Sequence, residues 1–156
     1  MTKKFIAAGI YSLLAVVLIS TFSACKKDAA DGSLNITGKW VKTQFQGLQV
    51  YEFKSDSTVE YTVLQTDSVT KNIIGYTYKS IGKYSLKNAE LKLYDLQNFS
   101  NSKNIFGPAS ELTPIGGAKT VTYTIALNRQ KNKLSVFFTC PDGYDCVPSP
   151  IVYNKQ

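Results

Sequence analysis

From Gly38 onward the chain alternates apolar and polar residues in short runs separated by turn-forming clusters. Period-2 alternation over four to eight residues predicts half-buried strands. The runs fall at 38–44, 48–54, 58–64, 73–79, 81–86, 89–95, 119–128, 133–139 and 150–154. Beyond residue 24 no 3.6-residue periodicity is sustained. Eight or nine short strands in about 120 residues predict an all-β barrel or sandwich.

Three hairpins can be assigned a register, because a slip of one residue moves every side chain to the opposite face. A three-residue loop at Ser55-Asp56-Ser57 pairs Lys54 with Thr58 and gathers Tyr51, Phe53, Val59, Tyr61 and Val63 on one face. A two-residue turn at Lys87-Asn88 pairs Tyr84 with Leu91 and gathers Tyr84, Leu86, Leu91 and Leu93. Pairing Asn128 with Lys133 gathers Val121, Tyr123, Ile125, Leu127, Leu134, Val136 and Phe138. Each hairpin then has an apolar face and a polar one, the latter carrying Thr62, Glu90, Lys92, Thr120, Thr122 and Thr124. Consecutive hairpins of this kind close most simply as a single up-and-down antiparallel barrel of about eight strands.

The first 24 residues differ in kind. Lys3-Lys4 precede an uncharged stretch from Phe5 to Phe22, and Ser23-Ala24-Cys25 follow. That layout predicts a secretory signal over 1–24. Phe22-Ser23-Ala24-Cys25 resembles the lipobox of bacterial lipoproteins, with Phe22 in place of the usual leucine. The resemblance implies cleavage before Cys25 and acylation of Cys25. Several acyl chains at about 0.8 kcal/mol per buried CH₂ hold a protein on a membrane essentially permanently. Residues 25–36 then read as a polar tether, and 37–156 as the folded domain. The Lys-Lys-Asp start of the tether is similar to lipoproteins of the Bacteroidota. The expected location is the bacterial envelope, most simply the outer membrane, at either its periplasmic face or the cell surface.

Composition narrows the chemistry. Histidine is absent, which removes Ser-His-Asp and Cys-His nucleophiles and histidine metal sites. The net charge is +7, or about +5 without the signal. The lysines are scattered singly and build no phosphate-tracking stripe, so no nucleic-acid partner is expected. With Cys25 assigned to lipid, Cys140 and Cys146 flank Pro141-Asp142-Gly143-Tyr144-Asp145, a turn-rich segment. In an oxidising compartment this pair predicts a disulfide closing a tight loop. No metal and no cofactor is expected.

Ile36-Thr37-Gly38-Lys39-Trp40 opens the first strand with Gly-x-Trp. Tyr51-Glu52-Phe53 before a polar turn, Gly82-Lys83-Tyr84 and Leu91-Lys92-Leu93 follow in order. Together these motifs resemble the lipocalin-like (calycin) lipoproteins of the Bacteroidota over residues 36–154. The resemblance implies a barrel whose floor is sealed at Gly38 and Trp40. Lipocalins pack that tryptophan against a late arginine. The late basic residue here is Lys155, which places a weaker cation–π contact on Trp40.

Function would reside in the interior. Tyr51, Phe53, Tyr61, Tyr84, Tyr123 and Phe138 form an inward aromatic set that either lines a site for a small hydrophobic or amphipathic ligand or fills the barrel. A filled barrel would leave an envelope protein as the expected partner. The stretch 97–118 shows weak secondary structure and carries Phe99, Ile105, Phe106 and Leu112, either as a lid over the barrel mouth or as a structural flap. Tyr76, Tyr78 and Tyr144 are further candidates for a rim or a partner surface. Acids are few; Glu52 and Glu60 pair by proximity on one outer face with nothing to bury them. The inventory supports a binding or interaction protein rather than an enzyme.

Overall fold

A computed structural model describes residues 34–102, 105–117, 120–138 and 149–156. Nine strands form: β1 Gly38–Gln44, β2 Gly47–Phe53, β3 Thr58–Thr66, β4 Ile73–Lys87, β5 Glu90–Asn101, β6 Leu112–Gly116, β7 Thr120–Leu127, β8 Lys133–Phe137 and β9 Ile151–Lys155. All pairings are antiparallel, and β1 pairs with both β2 and β9. With β4 paired to β5, the β1–β9 pairing closes the ring. The result is a closed eight-stranded up-and-down barrel, with β6 as a ninth strand on the outer half of β5.

Alternation sets the faces. Phe53 lies opposite Val59 and Tyr51 opposite Tyr61, while the Lys54 amide donates to the Thr58 carbonyl at 2.9 Å. The first expected register therefore holds. Asp56 shapes the loop by accepting from the Thr58 amide and hydroxyl at 3.0 and 2.6 Å. The third register also holds: Ile125 faces Val136, Leu127 faces Leu134, and the Asn128 amide donates to the Lys133 carbonyl at 3.1 Å.

The second hairpin departs by two residues. Its turn is Asn88-Ala89, so Leu86 pairs with Leu91 and Tyr84 with Leu93. Both turn residues have positive φ, 50° and 65°, as a tight two-residue hairpin turn with right-handed strand twist requires. A two-residue shift preserves parity, so the inward set is unchanged. Ala89 sits in a backbone region that glycine adopts more readily. Ala89→Gly is expected to raise stability by about 0.5–1 kcal/mol in urea unfolding.

Three further features differ from the sequence pattern. The runs at 73–79 and 81–86 are one fifteen-residue strand, β4. The stretch 97–118 is largely ordered sheet: its start completes β5 and its end is β6. Thr62 does not face water. It is buried on the barrel's outside beside a second apolar cluster of Val41, Val50 and Leu64. Glu90, Lys92, Thr120, Thr122 and Thr124 are exposed as expected.

Bulges reset parity, and two of them bear on the interior. Val63 pairs with Tyr78 but Leu64 with Tyr76, so Thr77 is an extra residue and Tyr76 and Tyr78 fall on opposite faces. Ile81 pairs with Gln97 but Lys83 with Tyr94, which places an extra residue in β5 near Asp95, whose φ is 54°. Glycines on both flanks admit this second bulge. A Cβ at Gly82 would lie 2.7 Å from Leu96 Cδ2 and 2.8 Å from the Tyr94 carbonyl oxygen. A Cβ at Gly117 would overlap the Leu96 carbonyl outright.

Candidate functional site

The barrel is packed at one end and hollow at the other. In the packed half, Ile36, Trp40, Phe53, Leu91, Ile125, Leu134 and Val136 are almost wholly buried. Trp40 Nε1 donates to the Ile36 carbonyl at 2.6 Å. Lys155 pairs with Trp40 across β1–β9 and holds its Nζ 5.4 Å from the ring centroid, so the expected cation–π contact forms. The Tyr84 ring meets Phe53 edge-on at 5.0 Å, and its hydroxyl donates to the Lys54 carbonyl at 3.0 Å.

The other half holds a cavity of about 320 Å³ that opens to solvent. Tyr51, Tyr61, Tyr123 and Phe138 line it, as the alternation predicts. Phe53 and Tyr84 do not, because the strands' stagger places them with Trp40 in the packed half. Tyr78, Tyr153, Gln49, Ser80 and Asn98 also line it, with Leu93, Leu96, Val121 and Ile151. Tyr153 was legible in the alternation of β9, where Ile151 and Tyr153 share a face. Tyr78 was legible too, since it shares parity with Tyr84 along β4, whereas Leu96 and Asn98 were not, because both follow the β5 bulge. Among the described residues the cavity wall carries no charged side chain.

Four tyrosines make a continuous run of rings. Tyr153 and Tyr51 meet edge-on at 5.2 Å, Tyr61 and Tyr78 edge-on at 6.0 Å, and Tyr51 and Tyr61 lie tilted by 34° at 4.5 Å. On another part of the wall Tyr123 and Phe138 meet at 5.1 Å. Rings supply apolar area while the hydroxyls remain able to orient a guest.

The polar groups are hydrogen-bonded in a definite sense. Ser80 Oγ donates to Asn98 Oδ1 at 2.8 Å, and the Tyr153 hydroxyl donates to Gln49 Oε1 at 3.1 Å. Burial pushes the Tyr61 phenol up to about 12, with Tyr123 and Tyr78 adding to the rise. Burial likewise raises Tyr51, Tyr123 and Tyr153. The sign is fixed: the folded state holds these protons more tightly than the unfolded chain, so stability falls as pH rises. The contribution is fully present below about pH 10 and is lost as pH rises through about 12. Urea midpoints should be flat from about pH 7 to 9 and fall above about 10, together with late tyrosinate absorbance. A midpoint unchanged up to pH 12 would contradict the burial of these phenols.

The candidate lid residues lie beside the wall rather than in it. Phe99 pairs with Pro114 and Leu112 with Asn101 in the β5–β6 hairpin. Gly107 pairs with Tyr76 through two backbone hydrogen bonds, and Phe106 packs on Gly75. Ile105 is 81% exposed. None of the four lines the cavity. Glu52 and Glu60 are paired on the outer face, where Lys79 Nζ lies 2.9 Å from Glu60 Oε1. Cys25, Cys140, Cys146 and Tyr144 lie outside the described residues.

Fold and site define a closed antiparallel β-barrel, consistent with a lipocalin-like one, with an open, tyrosine-lined interior whose described lining carries no charge. No family model matches the chain, and neither a curated protein nor a solved structure is significantly similar to it.

Proposed function

We propose that this chain is a lipocalin-like lipoprotein of the bacterial envelope, anchored through Cys25, whose barrel holds one small apolar or amphipathic molecule without transforming it. The observation that carries the reading is the 320 Å³ opening between the tyrosine run and the aliphatic wall. It equals the volume of about ten waters, within the lower range of small-molecule sites. The lipobox resemblance supports the anchor and the outer-membrane location.

Two measurements test the two parts separately. Native mass spectrometry of the mature chain should show a discrete adduct that disappears on organic extraction, and a bare chain that also fails to bind apolar fluorophores would reject the ligand. Labelled palmitate should be incorporated into the natural chain and not into Cys25→Ala. A natural chain that takes up no label would reject the lipid anchor.

A second reading, docking of another envelope protein, is favoured by one observation. Phe45 and Val69 are 95% and 84% exposed. They sit in the β1–β2 and β3–β4 turns, at the same end of the barrel. Cross-linking through those turns to a single envelope protein would support that reading, and loss of the cross-link in a Phe45→Ser, Val69→Ser variant would place the contact.

A further inference from the structure

We infer that the cavity selects uncharged ring-sized molecules that bring hydrogen-bond acceptors, such as carbonyl, ester or ether oxygens, and discriminates against anionic ones. This rests on reading the cavity as a ligand site and specifies its ligand class.

The direction of two internal hydrogen bonds sets this preference. A carboxamide offers one oxygen acceptor and an NH₂ with two donors. At Asn98 the oxygen is occupied by the Ser80 hydroxyl. At Gln49 it is occupied by the Tyr153 hydroxyl. Each bond fixes its amide so that the NH₂ is the unused end, and among the described residues neither NH₂ donates to a protein acceptor. Both side chains line the cavity. The wall therefore offers preset N–H donors from β2 and β5, on separate strands around the barrel. A guest that supplies oxygen acceptors satisfies them. A hydrocarbon displaces their water and leaves them unpaired, which is the costly arrangement for a donor removed from water.

Charge sets the other limit. The chain is strongly basic, yet among the described residues no lysine or arginine lines the cavity. Lys79, on the strand that carries Tyr78 and Ser80, points outward to Glu60. A carboxylate or phosphate entering this space would lose hydration with no cation to replace it. The surrounding rings and the aliphatic stretch of Leu93, Leu96 and Val121 favour a flat apolar body instead.

The test uses three probes of nearly equal size on the mature chain, with Cys25→Ser to leave it unacylated. These are tetralin, which has no acceptor, 1-tetralone, which adds one carbonyl oxygen, and 1-naphthoate, which adds a negative charge. One well-placed hydrogen bond corresponds to roughly tenfold in affinity. Equilibrium dialysis at pH 7 should give 1-tetralone about tenfold tighter binding than tetralin, and 1-naphthoate weaker binding than either. Asn98→Leu combined with Gln49→Leu should erase the tetralone advantage while tetralin binds at least as well as before. Asn98→Asp keeps an acceptor for Ser80 and removes the NH₂, so it should weaken tetralone and leave tetralin little changed. Equal binding of tetralin and tetralone by the unsubstituted barrel, or preference for naphthoate, overturns the donor-wall inference while leaving the ligand site intact. Absence of binding by all three probes overturns both. Because the probes are compared on the unsubstituted barrel, their ranking decides the question even where a variant fails to fold.

Discussion

Trp40→Ala should remove about 3–5 kcal/mol of stability, enough to leave much of the chain unfolded at 37 °C. Trp40 is fully buried, and its ring fills the packed half of the barrel against Ile36, Phe53 and the β7–β8 aliphatics. Alanine leaves a void that closed strands cannot collapse around, because each is hydrogen-bonded on both sides. It also removes the donor at 2.6 Å from the Ile36 carbonyl, which adds about 1 kcal/mol for an acceptor left unpaired. Trp40→Phe keeps most of the apolar volume and should lose less, about 1–3 kcal/mol. Lys155→Gln removes the cation 5.4 Å from the ring and should lose at most about 1 kcal/mol, since Lys155 is exposed. Trp40 is the sole tryptophan, so unfolding of the series is best followed by circular dichroism in urea. A Trp40→Ala loss below about 1 kcal/mol would contradict its role as the plug of the packed half.

Val121→Trp combined with Ile151→Trp should abolish ligand uptake while the barrel stays folded. Both positions line the hollow half, and the two substitutions add roughly half the cavity volume in side chain. Apolar fluorophore affinity should fall by about 100-fold or more, and any adduct seen by native mass spectrometry should disappear. The rings enter empty space rather than a packed core, so the urea midpoint should change by no more than about 1 kcal/mol equivalent. Uptake that persists in this variant would locate the ligand elsewhere. The two predictions together divide the interior, since one half sets stability and the other sets binding.

The division between halves shows what alternation can and cannot settle. Tyr51, Tyr61, Tyr123 and Phe138 reach the cavity because a period of two leaves them no other face once Phe53–Val59 and Leu127–Leu134 are paired. Phe53 and Tyr84 share that inward face yet sit in the packed half. Facing inward is a local property, whereas height along the barrel depends on the stagger of all eight strands.

Local sequence by itself determined an all-β chain, two of three hairpin registers and the inward set of the third. Each follows from short-range rules: alternation, turn chemistry, and the parity that any two-residue slip conserves. The Trp40–Lys155 contact was legible only through the lipocalin resemblance. Tertiary structure decided the rest. Closure through β1–β9 joins the first strand to the last, and β5–β7 pairs across the β6 excursion, which no local pattern encodes. The bulge at Thr77 turns Tyr76 outward, and the bulge at Asp95 shifts Leu96 and Asn98 to the inner face. The second bulge exists only because Gly82 and Gly117, on different segments, leave room for the Leu96 backbone and side chain. The hollow itself is a volume left over among eight staggered strands, and volume is a property of the whole packing rather than of any segment.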